Sequence, residues 1–291
     1  MIIEFGIAER PSAHTGRPLL RRSTLGGILA LRSGRVGLVL LALILGIAVL
    51  APWLAPLDPL ALTGGPLSPP SRAHLMGTDA LGRDLFSGIV WGARASLLIA
   101  IGVSLLTFAC GMFVGLVGGY FGGLADDILT RLTELLQVLP RFLLVILAVA
   151  ILGPGVDRLI LTLGLTSWAA LSRVVRADVL ALGHTDFVIA ARASGASHSR
   201  ILRRNLLPNV MPTAIVLMGL LVGQVLLLEA SLGFLGLGDP SVVSWGLMAS
   251  RAHEFARVAW WLPLFPGLAI SSAVLAANLL ADAYTAVIKR S

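Results

Sequence analysis

The chain has 291 residues, of which 57% are hydrophobic and 13% are charged, and its mean hydropathy is +0.92. Soluble domains carry about 25% charged residues, so this composition excludes a soluble protein and predicts a membrane protein. The net charge is +7. However, the arginines are not interleaved with the stacking aromatics that a nucleic-acid surface requires, and we therefore expect no nucleic-acid partner.

Six apolar runs follow one another along the chain, and each is long enough to cross a bilayer, since a spanning helix needs about 20 residues. The first run is too long for a signal peptide and lies behind an N-terminal tail, so we expect it to remain as a span. The pattern predicts an all-α membrane protein with six transmembrane helices. The runs occupy residues 36–56, 95–120, 129–152, 159–182, 210–237 and 262–288.

Basic residues mark one side of the predicted bundle. Six arginines precede the first span, six more lie between residues 173 and 204, and Lys289 and Arg290 close the chain. Cytoplasmic loops carry an excess of Lys and Arg, so we expect both termini to be cytoplasmic. The predicted division is a cytoplasmic tail (1–35), a first span (36–57), an extracytoplasmic loop (58–94) and a five-helix core (95–291). The core contains a cytoplasmic coupling loop (183–208), and we name this loop the docking segment.

The predicted extracytoplasmic loop is rich in Pro and Gly and ends in a polar motif. We expect Thr78 or Asp79 to cap a helix start and Arg83 to pair with Asp84. These roles predict a structural elbow that leads into the second span. The motif consists of Gly77, Thr78, Asp79, Gly82, Arg83 and Asp84, followed by Gly92, Ala93, Arg94, Ser96 and Leu97.

The second span carries a ridge of glycines at four-residue spacing. Small residues at this spacing let two helices approach closely in a membrane, so we expect another helix to pack against the ridge. An unwound, ligand-binding break is the alternative, but no proline accompanies the glycines. The lone cysteine, Cys110, is expected to fill space as a small apolar residue. The ridge consists of Gly111, Gly115, Gly119 and Gly123.

Charged residues accompany the third and fifth predicted spans. Asp126 is interpreted as a solvated charge at the membrane edge. Pro140 is expected to kink or restart the third helix, and Arg141 to reach toward the cytoplasmic face. Glu229 lies inside the fifth apolar run, where an ionisable group is unfavourable unless it is paired or faces water. Glu229 is therefore a candidate pathway residue, with a structural pair or cap near the outer surface as the alternative.

The docking segment is a polar, arginine-rich stretch between two apolar runs. From Asp186 to Pro208 its residues are compatible with a short exposed helix, and Pro208 is expected to limit that helix. Ala190, Ala191 and Gly195 place small side chains along one face, so another protein can approach the backbone closely. We therefore expect this helix to fit into a socket on a partner.

The docking segment resembles the EAA loop of permease subunits in ABC importers. The polar motif and the stretch 229–248 are similar to the second permease subunit of dipeptide, oligopeptide and nickel importers. The residues that match the EAA loop are Ala190, Ala191, Gly195, Leu207 and Pro208, whereas Ile189 stands where the family usually has Glu and Asn205 where an aliphatic residue is common. The resemblance implies a coupling role for Ile189 and the five matching residues.

The resemblance implies a type I ABC importer permease fold that moves dipeptides or oligopeptides across a bacterial plasma membrane. Its expected partners are a second homologous permease subunit, two ATPase subunits or domains, an extracytoplasmic binding protein and membrane lipid. The ATPases are expected to act through the helix predicted over 186–208. Residues 59–84 and 239–261 are expected to form the surface on which the binding protein lands.

Catalytic signatures are missing from the sequence. A phosphate-binding loop of the Gly-x-x-x-x-Gly-Lys-Ser/Thr type needs a lysine, and the only lysine is Lys289. The five histidines are scattered without the spacing of metal ligands. We therefore predict a non-catalytic subunit with no metal or cofactor of its own, and with ATP and Mg on partner subunits. Two alternatives remain, an ion-coupled secondary transporter without an ATPase partner and an intramembrane hydrolase.

Overall fold

The computed structural model describes residues 24–55, 57–239 and 241–288, and this part of the chain forms helices and loops without a named strand. The predicted tail before residue 24 and the closing residues Lys289 and Arg290 lie outside it. The helices are α1 (Thr24–Ala30), α2 (Arg32–Val49), α3 (Ala51–Leu54), α4 (Leu85–Phe121), α5 (Gly123–Val138), α6 (Arg141–Leu152), α7 (Val156–Gly183), α8 (Asp186–Ala193), α9 (His198–Arg200), α10 (Leu207–Phe234), α11 (Trp245–Ala252) and α12 (Trp261–Ile288). A π-helical turn, Ile201–Leu206, joins α9 to α10.

Within the described ranges, five helical stretches are long and apolar enough to cross a membrane, and the bent pair of α5 and α6 brings the number to six when it is counted as one span. The predicted all-α membrane architecture is confirmed, and its six spans agree with that count. The first span is shorter than predicted, because α2 ends at Val49 and a break at Leu50 separates it from α3. The fifth span is longer, because His198–Gly233 forms one helical path.

The third span, predicted over 129–152 with a kink or restart at Pro140, is divided into two helices at that proline, which confirms the predicted break. α5 and α6 meet at an angle of 85°. Pro140 has no backbone N–H, and the residue before a proline is held extended, as Leu139 is with ψ of 128°. α6 has 12 residues. That length, about 18 Å, is shorter than a hydrocarbon core of about 30 Å, so α6 cannot cross it alone.

The second span, α4, starts directly after Asp84, so the preceding long loop (57–84) ends before the predicted boundary at 94. Asp84 is the N-cap residue, and its Oδ2 accepts a hydrogen bond from the Ser87 N–H at 2.8 Å. This bond satisfies one of the free amides in the first turn. The predicted cap at Thr78 or Asp79 is therefore wrong.

The other residues of the polar motif fold the long loop back on itself. Asp79 Oδ1 accepts hydrogen bonds from the N–H groups of Leu81 and Arg83, both at 2.8 Å, and so closes a turn. Asp84 Oδ1 lies 3.0 Å from His74 Nδ1. Asp84 therefore pairs with His74, and the predicted pairing with Arg83 is wrong. The elbow is held by local bonds at the start of α4.

Three of the four ridge glycines in α4 pack against α7. A Cβ added at any of the three would lie 2.7–2.9 Å from the facing side chain, so only glycine permits this approach. Gly123 does not belong to the ridge, because Gly122 and Gly123 form the turn after α4 with φ of 65° and 55° and open space around them. The packed pairs are Gly111 with Leu171, Gly115 with Val175, and Gly119 with Val179.

The described ends of the chain lie at the same end of the bundle as the docking segment. α1 packs against the end of α12, where Gly27 faces Val287. α4 reaches the docking segment through Tyr120. At the opposite end, Trp261 Nε1 at the start of α12 donates to the Thr78 carbonyl of the long loop at 3.2 Å. We name these the docking-segment end and the long-loop end.

Candidate functional site

The helix α8 of the docking segment is anchored by one apolar side chain and exposes its neighbours. Val188 is buried in a cluster with Val175 and Val179 of α7. Ile189 and Phe187 on either side are 51% and 42% exposed. Phe187 and Ile189 lie two positions apart, so they flank the buried face on opposite sides of the helix and leave apolar surface exposed on each flank.

The docking segment is not one helix over 186–208, as predicted, because α8 ends before Gly195. The Gly195 N–H bonds to the Arg192 carbonyl at 3.0 Å and the Ala196 N–H to the Ala191 carbonyl at 3.1 Å. This Schellman arrangement needs a left-handed residue, and Gly195 has φ of +73°. Gly195 therefore turns the chain in open space, while Ala191 packs partly on the buried cluster. The predicted continuous small face is wrong.

The helix that follows passes through Pro208, which the sequence predicted to limit it. In the π-helical turn Ile201–Leu206 the spacing of hydrogen bonds widens, and the Leu207 N–H bonds to the Leu202 carbonyl five residues back. The wider turn accommodates a proline, which lacks an N–H and collides with the carbonyl four residues before it in a regular α-helix. α10 is therefore a continuous extension of the docking segment.

Polar and aromatic contacts attach the docking segment to α4 as well. The Tyr120 hydroxyl lies 2.8 Å from His198 Nδ1. The Arg192 guanidinium lies 5.3 Å from the centre of the Tyr120 ring, a cation–π contact. Ile201 and Leu206 are buried in the same cluster as Val188. The docking segment is thus fixed to two spanning helices and continuous with a third.

An ion pair joins α5 to α7 near the docking-segment end. Arg176 Nε and Nη2 donate to Asp126 Oδ1 and Oδ2 at 2.5 and 2.6 Å. The prediction of a solvated edge charge at Asp126 is wrong, since its side chain is 14% exposed and paired. A bidentate pair has a fixed geometry, so it restrains the two helices more than a loose surface pair does.

A cavity of about 510 Å³ lies between α4, α6, α7 and α10. Arg141 Nη1 donates to Ser167 Oγ of α7 at 3.3 Å. The prediction that Arg141 reaches the cytoplasmic face is wrong, because the bend at Pro140 places the start of α6 beside the middle of α7. The signal in the sequence was an arginine directly after a proline within an apolar run. The polar side chains of the wall are Thr107, Arg141, Ser167, Arg173 and Gln224.

Glu229 lies in a packed contact and not on the wall of this cavity. Its side chain is 5% exposed and accepts a hydrogen bond from Ser244 Oγ. Ser244 Oγ also accepts from the Leu247 N–H at 3.2 Å as the N-cap of α11. Gly246 lets α11 lie directly over the carboxylate. Glu229 therefore holds α11 on α10 near the long-loop end, which agrees with a structural pair and not with a pathway role.

A second cavity, of about 240 Å³, lies at the long-loop end between the long loop and α11. Arg83, Arg251, Asp79 and Glu254 are among its lining residues. Burial lowers the pKa of the Arg251 guanidinium, the Arg83 charge lowers it further, and Asp79 raises it. Arg83 Nε is buried and has no hydrogen-bond partner among the residues that the structure describes. The structure thus brings together the two segments that the sequence predicted to form one outer surface.

The fold defines a class of protein, an all-α membrane protein with five or six candidate spans and an exposed segment at one end of the bundle. The family described as "Binding-protein-dependent transport system inner membrane component" matches residues 111–291. The match covers more than half of the chain, so the chain belongs to this family of ABC transporter permeases. It is a multi-pass inner-membrane protein of bacteria.

Relatives of this chain include peptide and nickel permeases. It is 40% identical over 250 residues to the dipeptide transport system permease protein of Bacillus subtilis strain 168, covering 84% of this chain and 78% of that one. It is 39% identical over 254 residues to the di/tripeptide permease of Pseudomonas aeruginosa strain UCBPP-PA14, covering 84% of each. The nickel permease of Escherichia coli K12 is 36% identical over 256 residues, with 86% and 91% covered.

A solved structure shares the fold. The inward-facing MetNI methionine ABC transporter matches with a TM-score of 0.56 and 19% sequence identity, covering 69% of this chain and 96% of that one. This similarity supports the ABC permease fold that the sequence predicted. The chain is a permease of the dipeptide, oligopeptide and nickel branch of the family.

Proposed function

We propose that this chain is the transmembrane permease subunit of an ATP-driven importer that moves dipeptides or oligopeptides into the cell. The observation that carries the proposal is α8, which exposes Phe187 and Ile189 while Val188 anchors it to α7. A helix that is exposed and yet rigidly attached to spanning helices is suited to receive a movement from a partner. The peptide permeases among the relatives support the choice of substrate.

The docking-segment end faces the cytoplasm in this proposal. Arg192, Arg200, Arg203 and Arg204 belong to the docking segment, and the described ends of the chain lie at the same end. An excess of arginine favours the cytoplasmic side. The long-loop end is then extracytoplasmic, where the surface around Arg83 and Arg251 receives the binding protein.

Transport follows an alternating-access cycle. ATP and Mg bind to two partner ATPase subunits, whose closure displaces α8 on each permease subunit. Because the docking segment contacts α4 and α7 and continues into α10, these spans move with it and the cavity opens to the outside. Hydrolysis on the partners then resets the inward-open state. The partners can drive these movements only if they bind the outward-open and inward-open conformations of the permease with different affinities.

A second permease subunit completes the pathway. Ala170 and Arg173 of α7 and Leu220 and Gln224 of α10 are exposed beside the cavity. A half-open cavity in a bundle of six spans needs a further wall before it can shield a polar solute from lipid. The proposed partner is a homologous permease whose spans cover this face.

The proposal is tested by purification and reconstitution. The tagged chain is extracted in mild detergents, copurifying proteins are identified by mass spectrometry, and the complex is assayed with its binding protein for uptake of labelled L-alanyl-L-alanine. We expect a second permease, P-loop ATPases and ATP-dependent uptake. Recovery of the chain alone in every detergent, or uptake driven by a proton gradient without ATP, overturns the proposal.

A pair of matched variants tests the docking surface. Ile189→Asp places a charge on the exposed face of α8 and is expected to remove the ATPases from the purified complex. Val258→Asp makes the same kind of change at the long-loop end, where Val258 is 73% exposed, and is expected to retain them. Equal recovery of the ATPases with both variants overturns the assignment of α8.

A further inference from the structure

The cavity beside α6 lies near the middle of the membrane. α7 begins at Val156 at the long-loop end, and Ser167 lies about 16 Å further along it at a rise of about 1.5 Å per residue. Arg141 reaches this serine from the start of α6. A hydrocarbon core is about 30 Å thick, so the guanidinium of Arg141 lies close to its midplane.

This part of the cavity is positively charged. Among the residues that the structure describes, Arg141 and Arg173 line it and no Asp or Glu does. Arg173 also lines a neighbouring cavity with Asp126 and Glu134, and the carboxylate of Asp126 is engaged by Arg176. The hydroxyl of Ser167, to which Arg141 donates, is neutral. Arg141 is also the first residue of α6, so the positive end of that helix dipole adds to the same field.

A charged side chain such as Arg141 is energetically unfavourable within a membrane. Where such side chains occur, they often line pathways for polar or ionic solutes. We propose that Arg141 makes the cavity a binding site for the carboxylate of the transported solute, the C-terminal carboxylate of a peptide. This inference rests on the proposed function and specifies the chemistry of its substrate. A volume of about 510 Å³ lies within the usual range of small-molecule sites.

The wall groups suit a peptide. A guanidinium presents a planar fork that binds both oxygens of a carboxylate. The exposed Gln224 side chain of α10 supplies an amide that donates to a peptide carbonyl or accepts from a peptide N–H. A free divalent cation is disfavoured by two guanidinium charges in a wall without a carboxylate. The cavity therefore favours a peptide over a bare metal ion.

The test uses a cysteine as a reporter of local charge. Cys110→Ser removes the only cysteine, and Ala170→Cys, at an exposed wall position to which no binding contact is assigned, then places one thiol in the cavity of the full complex. Labelling rates are measured with an anionic sulfonatoethyl and a cationic trimethylammonium-ethyl methanethiosulfonate, each normalised to its rate with 2-mercaptoethanol. We expect the anionic reagent to react about tenfold faster, which corresponds to about 1.4 kcal/mol.

Charge variants assign this preference to Arg141. Arg141→Gln is expected to lower the ratio of the two rates about tenfold, and Arg141→Lys to keep it. Arg158→Gln is the matched control, because it removes the same charge from the exposed long-loop end of α7. Equal rates for the two reagents, no labelling by either, or an equal effect of Arg158→Gln and Arg141→Gln overturns the site. The two reagents are also compared on the protein that retains Arg141. That comparison tests the site even if a charge variant fails to fold.

Protection by a dipeptide tests the carboxylate itself. L-alanyl-L-alanine is expected to slow labelling of the reporter thiol at least threefold, and its C-terminal amide is expected to have no effect. Equal effects of the two compounds, including none, overturn the assignment to a carboxylate. Labelling requires neither ATP nor turnover, so protection without ATP-driven uptake refutes only the proposed function, whereas uptake without selective protection refutes only this site.

Discussion

Replacing Gly115 by alanine is expected to lower the stability of the permease by about 2 kcal/mol, within the range of overpacked interiors. A Cβ at Gly115 would lie 2.7 Å from both the Ser172 carbonyl oxygen and Val175 Cβ. Neither atom can yield by a change of rotamer, because one belongs to the backbone and the other is the branch point of a buried side chain. α4 must therefore move away from α7, and the contacts on both sides of Gly115 loosen with it.

The matched control is Gly46→Ala. Gly46 lies within α2, and a Cβ there would meet no atom within 4 Å. Alanine favours a helix over glycine by about 1 kcal/mol, so this variant is expected to be neutral or more stable than the wild type. The two substitutions are chemically identical, and they differ only in what faces the added carbon.

The assay is thermal unfolding of the purified complex in detergent, followed by tryptophan fluorescence. At about 2–4 °C per kcal/mol, Gly115→Ala is expected to melt about 4–8 °C below the wild type. A melting temperature for Gly115→Ala equal to that of Gly46→Ala would show that the close approach of α4 and α7 is not a determinant of stability.

Three further predictions concern the docking-segment end and the loop after α10. Gly195→Ala is expected to weaken ATP-driven uptake, because alanine at this positive φ strains the turn by about 1–2 kcal/mol. Gly195→Asn is expected to retain most uptake, because asparagine tolerates a positive φ. Equal uptake by the two variants would refute the role of the turn. Asp126→Asn is expected to lower stability by about 1 kcal/mol, and a double-mutant cycle with Arg176→Gln should show coupling of the two residues. Hydrogen bonds from Ser241 lower the pKa of the Asp239 carboxyl in the folded protein. The ionised carboxylate therefore stabilises the fold at pH values above its unfolded pKa, and this stabilisation is lost as the pH falls through its folded pKa. Thermal melts at acidic pH should show a smaller loss of stability for Asp239→Asn than for the wild type.

The architecture was readable from the sequence because spans in a membrane are set by length and apolarity alone. The ridge of Gly111, Gly115 and Gly119 was predictable for a similar reason, since four-residue spacing keeps small residues on one face. Gly123 continued the spacing but fell in the turn after α4. The spacing of glycines on one helix does not show where that helix ends. The helix ends here because two successive glycines adopt a positive φ, and the hydropathy of the sequence does not indicate the φ of a residue.

The sites were less predictable, since their geometry depends on partners distant in the sequence. Gly195 fits both a small helical face and a helix end, and the hydrogen bonds of the turn decide between them. Pro208 fits a helix limit until a π-helical turn precedes it. Arg141 and Glu229 are both charged residues in or beside apolar runs, so the sequence does not distinguish their roles. In the structure Arg141 contacts Ser167 and lines the cavity, whereas Glu229 contacts Ser244 and packs α11 on α10.

The geometry joins the docking segment to the cavity through two helices. α7 carries Val175 and Val179, which hold α8, and also Ser167, which meets Arg141. From Val179 to Ser167 is about 18 Å along one helix, at about 1.5 Å per residue. α10 continues from the π-helical turn to Gln224 without a break. Two of the four helices around the cavity, α7 and α10, therefore end or begin in the docking segment. A tilt imposed there changes the distance between Ser167, which accepts a hydrogen bond from Arg141, and Gln224 on the facing helix.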